Sequence, residues 1–291
     1  MNVAPLPSAS SVLPPATACD CHAHIMGPFD RFPLPNKPGY MPPLAPVENF
    51  VALLDILRLG RGVVVQSSSH GRDCRVLFDA LERYPSRLRG VALADNSISD
   101  ADLAAMHAAG VRGLRFTGTP YPGHASGGHS GSVPIWELFE MAPRLKALGM
   151  HAQLWLHCDH LTELAPRLTK LGIPLVLDHM GRFDTASGLA HPGFQTLTTL
   201  LKSGIAWIKM IPQRNSLQYP DYGDVRPFQA ALIEANADQL VWGSDWPNTN
   251  MGDRTPDPGH LLDVFGEWVS DPALRTKILA TNPERLYGFG D

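Results

Sequence analysis

Long apolar runs are missing from this chain of 291 residues, and no stretch approaches membrane-spanning length, which argues against a helical membrane protein. A surplus of positive charge is missing too. Twenty-four Lys and Arg against 28 Asp and Glu leave a formal charge of −4, so composition gives no support to a basic face for nucleic acid. Cysteine is scarce: Cys19, Cys21, Cys74 and Cys158 form no CxxC pair and no disulfide framework, which suits a reducing, cytoplasmic setting. Phosphate-cradling glycine patterns are absent, since Gly60, Gly62 and Gly71 match neither GxGxxG nor GxxxxGK[ST]. The first seventeen residues, MNVAPLPSASSVLPPAT, lack the basic and apolar regions of a secretion signal and read as a loose Pro/Ser/Ala tail.

What the chain has is a globular balance, 44% hydrophobic and 18% charged, with a strong alternation of patterns. Short β-branched or apolar runs recur at 18–24, 62–66, 89–95, 111–116, 151–157, 174–179, 205–210 and 239–245. Between them lie stretches of helical period such as VENFVALLDILRLG, DADLAAMHAAG and IWELFEMAPRLKALG, each with a glycine where a helix would end. Eight strands alternating with helices, about thirty residues per unit, predict an α/β protein with one (β/α)8 TIM barrel over residues 18–291. An open doubly wound sheet is the rival, and the count of eight favours closure. Two insertions, FDRFPLPNKPGYMPPLAPVE and TGTPYPGHASGGHSGSV, should sit at the C-terminal face, the second as a candidate lid.

Ionisable residues collect where these strands end: His22 and His24 in ACDCHAH, His157 in WLH, Asp178 and His179 in LDH, and Asp245 in WGSD. Period two turns His22 and His24 to one side of a strand. Each histidine alone reads more simply as a hydrogen-bonded edge residue, but a barrel gathers all of these ends around one mouth. Imidazole nitrogens and a carboxylate there are suitable ligands for zinc. A second, basic set ends the same strands: Arg115, Arg182, Lys209 and Arg214. Arginine forks suit a carboxylate, so this set points to a small anionic substrate, with salt bridges to Asp178, Asp184 or Asp221 as the alternative. Trp155 and Trp246 could flank a flat substrate or simply pack into the barrel shoulder. SSSHG at 67–71 does not by itself orient a serine nucleophile, although His70 is a candidate substrate contact.

DCHAHIMGPFDRFPL, VVVQSSSHG, RGVALAD, AGVRGLRF, VLDHMGR, VWGSDWP and TNPERLY together resemble the amidohydrolase superfamily, in the branch containing 2-pyrone-4,6-dicarboxylate lactonase. The resemblance covers almost all of residues 18–288. It implies an amidohydrolase-like barrel with His22 and His24 on its first strand, His179 on its sixth and Asp245 on its eighth. It also implies substrate-anchoring roles for Arg115, Arg182 and Arg214, and a substrate-holding loop at Ser69 and His70. The chain departs from the lactonase in having His157 on the fifth strand, Trp155 where a tyrosine would touch substrate, and no second arginine in TGTPYPGHASGG.

The expected chemistry is hydrolysis of a small carboxylated lactone of pyrone, muconolactone or sugar-acid type. One zinc ion would be held by His22, His24, His157 and Asp245, unless the site works without metal. Asp245 and His179 would be catalytic, and Arg115, Arg182, Arg214, Ser69, His70, Lys209 and Trp155 would bind substrate. A lactone isomerase is the nearest alternative reaction; a decarboxylase or a non-catalytic binding barrel fits less well. Assembly into a homo-oligomer is left open by the sequence.

Overall fold

The structure is a computed structural model that describes residues 2–35, 41–117 and 131–290. Its eight strands are β1 (Cys19–Ala23), β2 (Arg61–Val65), β3 (Leu88–Ala92), β4 (Val111–Thr117), β5 (His151–Trp155), β6 (Leu175–Leu177), β7 (Ala206–Met210) and β8 (Leu240–Trp242). Each pairs in parallel with the next, in sequence order. The ring closes just beyond β8, where Asp245 N donates to His22 O at 2.8 Å and His24 N to Trp246 O at 2.7 Å. The outer helices are α1 (Val47–Ile56), α2 (Arg75–Arg83), α3 (Asp100–Ala108), α4 (Ile135–Ala147), α5 (Leu161–Leu168), α6 (Pro192–Lys202), α7 (Arg226–Asn236) and α8 (Pro258–Trp268). The chain therefore folds as the expected (β/α)8 barrel.

Local chemistry accounts for the element ends. Ser99 caps α3, its side chain accepting from Asp102 N, and Gly110 and Gly149 take the positive φ that ends α3 and α4, as expected. After α1 the left-handed position falls to Arg58 instead of Gly60. Gly60 is needed for closeness: a Cβ there would sit 2.0 Å from Ala16 O.

Inside the barrel, Cys19, Cys21, Val63, Val65, Val91, Val176, Trp207 and Val241 form one buried cluster, plugged at the strands' N-terminal ends by Tyr287 and Phe289. β-branched residues suit this pleated surface, and each fully buried side chain of their size contributes about 1.5–3 kcal/mol. All four cysteines are free and buried. Between Asp20 and Ala23, β1 gains one residue over its partner. This bulge lets Cys21 stay in the interior cluster while His22 also turns inward, toward β6 and β7.

The tail expected to be loose is docked. Ala4 N donates to Leu44 O at 2.8 Å, and Trp246 Nε1 to Pro5 O at 3.3 Å. Ser10 and Ser11 hydroxyls both bond Asp263 on α8, and Val12 covers Gly266. Proline keeps this segment extended, and its serines give α8 hydrogen bonds to hold it by. Among the described residues, no helix is long and apolar enough to cross a membrane. The candidate lid at 118–130 and the middle of the first insertion, 36–40, lie outside the described residues.

Candidate active site

At the C-terminal mouth, β1, β6 and β8 bring four of the expected residues onto one point. Asp245 Oδ1 lies 3.5 Å from His22 Nε2, 3.5 Å from His24 Nε2 and 3.4 Å from His179 Nε2. The two Nε2 atoms of His22 and His24 are 3.3 Å apart. All four residues are buried. β6 and β8 are only three residues long, so His179 and Asp245 stand on the turns that follow them, both at positive φ (50° and 57°). Non-glycine residues pay strain there, and the surrounding hydrogen bonds hold them. Asp20 supplies part of that hold, accepting from His22 N at 3.1 Å, Ser244 N at 2.9 Å and Ser244 Oγ at 2.5 Å. Burial raises the Asp20 carboxyl to about 6 against these bonds.

Electrostatics keep the cluster rich in lone pairs. Burial, with Lys209 nearby, pushes His22 well below its usual range, and burial lowers His179 to about 4, so both rings are neutral at pH 7. Burial opposes the charge on Asp245, but Arg214 and His179 hold it well below the carboxylate norm. His24 Nδ1 donates to Val65 O at 2.8 Å, which turns the lone pair of its Nε2 inward. A carboxylate oxygen facing three ring nitrogens, with little room for water between, is a donor set that fits a divalent cation, and His22, His24 and Asp245 converge closely enough to share one.

Beneath this cluster lies a layer that the sequence reading only half found. Asp178, fully buried, approaches His22 Nδ1 through Oδ1 at 3.2 Å, and its Oδ2 accepts from Arg115 Nε at 2.9 Å and Gln153 Nε2 at 3.2 Å. Lys209 Nζ donates to Gln153 Oε1 at 2.7 Å. One expectation is corrected here. Lys209 is 0% exposed, because strand alternation turns it into the barrel, so it cannot serve as an open substrate contact. Arg115 makes, through Nε, the salt bridge to Asp178 that was the alternative reading for the basic set. Gln153 was missed, although one polar residue in the apolar run HAQLWL was a signal that this position faces something polar.

Around the rim the outcomes differ. Arg214 Nε bonds Asp245 Oδ2 at 2.6 Å and its NH1 bonds Thr249 O at 3.0 Å, so this arginine serves the carboxylate of the cluster itself. Arg182 lies over the Trp155 ring, 4.3 Å from its centroid. His70 is buried against Phe29, in the turn Ser68–His70 that also carries Ser69 and begins at Ser67. Gln66 Nε2 ties that turn to β2 by donating to Gly71 O and Asp73 O. Trp246 packs on Phe50 and faces the tail, as shoulder packing predicts. His157 is set apart from His22 and His24, against expectation. It stands past the end of β5, where the chain turns into Cys158–His160, and its Nδ1 meets Asp159 Oδ2 at 3.2 Å.

The comparisons with known proteins show the family. The family model described as Amidohydrolase matches residues 19–289. The chain is 36% identical to a 2-pyrone-4,6-dicarboxylate hydrolase of Comamonas testosteroni, over 97% of this chain and 93% of that one. It is 37% identical to a 4-sulfomuconolactone hydrolase of Rhizobium radiobacter, over 94% and 91%. A solved Pseudomonas putida protein, provisionally described as a 2-pyrone-4,6-dicarboxylic acid hydrolase, superposes with a TM-score of 0.81 at 30% identity, covering 95% of this chain and 99% of that one.

Proposed function

From the premise that this chain belongs to the amidohydrolase family, we propose that it hydrolyses a small lactone carrying a carboxylate. The observation that carries the reading is Asp245 Oδ1 standing 3.4–3.5 Å from three ring nitrogens at the barrel mouth, where enzymes of this architecture do their chemistry. His22, His24 and Asp245 would hold one divalent cation, zinc by the nitrogen-rich donor set, and His179 lies beside them. When bound, that ion supplies Lewis acidity to the oxygens gathered at the mouth. His157 is left out of the set because its ring does not converge with His22, His24 and Asp245.

The protein's own groups carry the proton and the substrate. Asp245, ionised at neutral pH, accepts a proton from the water that attacks the lactone carbonyl. Collapse of the tetrahedral adduct breaks the ring C–O bond, and the same proton goes to the departing oxygen, giving the open-chain hydroxy acid or its keto form. Arg182, flattened on Trp155, and the outer edge of Arg214 face the substrate's carboxylate and fix which side of the ring meets Asp245. Four reduced thiols and the absence of a membrane-spanning helix among the described residues suit a cytoplasmic enzyme.

A panel of pyrone carboxylates, muconolactones and sugar-acid lactones, read by acid release in oxygen-18 water, tests the proposal. Turnover that places solvent oxygen in an open acid, and that is abolished in a folded Asp245→Asn variant, supports it. Turnover without solvent oxygen would mean acyl migration and an isomerase. No turnover of any carboxylated lactone would sink the reading.

A further inference from the structure

Two partners compete for a single nitrogen of His22. Lys209 Nζ lies 3.2 Å from Nδ1, and Asp178 Oδ1 lies 3.2 Å from the same atom. An ammonium can only donate to that nitrogen, and a carboxylate can only accept from it. The two contacts therefore need opposite tautomers of a neutral ring. The two contacts to Nδ1 are equally long, and Lys209 Nζ also lies 3.6 Å from Asp178 Oδ1, so the three groups meet at one point.

The choice propagates to the far side of the ring. In the neutral His24 ring whose Nδ1 donates to Val65 O, Nε2 accepts. With Lys209 donating to His22 Nδ1, the hydrogen of His22 sits on Nε2, 3.3 Å from that acceptor. Lys209, His22, His24 and Val65 then form one continuous chain of donors and acceptors that needs no cation. A cation needs the lone pair of His22 Nε2, and the other arrangement is already built for it. Arg115 and Gln153 occupy Asp178 Oδ2 and leave Oδ1 to the ring, while Gln153 Oε1 holds the ammonium at 2.7 Å.

We propose that Lys209 is a tautomer switch for the candidate metal cluster. Without a cation it donates into His22 Nδ1 and closes the His22–His24 hydrogen bond. With a divalent cation on Nε2, the hydrogen of His22 moves to Nδ1 and is donated to Asp178 Oδ1, and Lys209 stays on Gln153. One proton leaves Nε2 and one arrives at Nδ1 through solvent exchange, so the imidazole stays neutral and Lys209 stays an ammonium. The proposal rests on the reading that the cluster takes a cation, and it fixes a sign. Lys209 opposes the ion both by favouring the unsuitable tautomer and by placing a like charge nearby, so removing it tightens binding.

The test uses the full chain with nitrogen-15-labelled histidine, first treated with chelator and then given zinc. The His22 ring should read Nε2–H in chelator and Nδ1–H with zinc. Lys209→Met should read Nδ1–H already in chelator and bind zinc ~10-fold more tightly in competition with a chromophoric chelator; Asp178→Asn should bind it ~10–100-fold more weakly. Chelated wild type in the Nδ1–H form overturns the switch, as does unchanged or weaker zinc binding by Lys209→Met. If that variant does not fold, the wild-type spectra and Asp178→Asn decide. A wild type that takes up no zinc also overturns it; an Nε2–H ring in chelator would then trace the failure to the cation reading and not to the Lys209 contact.

Discussion

His151 opens β5 with its ring inside the barrel, edge-on to Tyr287 at 5.5 Å between centroids, so lowering the pH from 7 to about 4.5 should weaken this fold through that one residue. Burial holds its imidazole at about 3 in the folded chain, against an ordinary value of 6.5. Its Nε2 has no hydrogen-bond partner among the described residues that could stabilise the charged form. Between those two values the unfolded chain binds a proton that the folded chain refuses. The stability contributed by the neutral ring is therefore complete above pH 6.5 and is lost as pH falls toward 3. At about pH 4.5 roughly two units of that gap have been crossed, which at 1.4 kcal/mol per unit costs about 3 kcal/mol. His151→Gln, of similar size and without a titrating group, removes this term and leaves every other acid-sensitive group in place. Urea unfolding of both proteins at the two pH values, at equal m, isolates it as a difference of differences. The wild type should lose about 2–3 kcal/mol more than the variant. Equal losses would refute the claim that the interior refuses the proton.

Arg182→Gln should lower kcat/KM ~10–100-fold for a carboxylated lactone and far less for its neutral ester, because a charge-assisted bond is worth ~1.5–3 kcal/mol. Arg214→Gln should lower both, since Arg214 also holds Asp245 Oδ2, and steady-state kinetics on the matched pair would show the contrast. His157→Ala should leave the amount of zinc bound at the cluster unchanged by metal analysis and cost at most ~1 kcal/mol, the worth of a weak cap on the Asp159 amide. Gly113→Ala would place a Cβ 2.3 Å from His151 Nε2, so it should destabilise the barrel by ~1–3 kcal/mol and lower its melting temperature by several degrees.

Periodicity made the barrel legible, because its eight strands are short apolar runs and helices such as α3 and α4 end at glycines of positive φ. Position along the strand made the centre legible as well: His22, His24, His179 and Asp245 were all readable as strand-end residues. Two features escaped that rule. The bulge in β1 breaks strict alternation, so Cys21 and His22 both face inward, which a period of two forbids. The register of each strand's last residue decides whether its side chain reaches the common point or swings past it. His157 lies on the turn after β5 with its Nδ1 at Asp159, while Lys209 sits within β7 and falls below the mouth.

The same limit applies to the arginines. A sequence places Arg115 and Arg214 near strand ends, but carboxylates decide what they do, and the barrel supplies two of its own. Asp178 and Asp245 are buried charges that would be costly without partners, and each takes one guanidinium at 2.9 or 2.6 Å. Under the proposed function, an anionic substrate would meet the outer edge of Arg214 and the guanidinium of Arg182 over Trp155. Three of the four basic residues, Arg115, Lys209 and Arg214, thus lie within ion-pair distance of the two buried carboxylates.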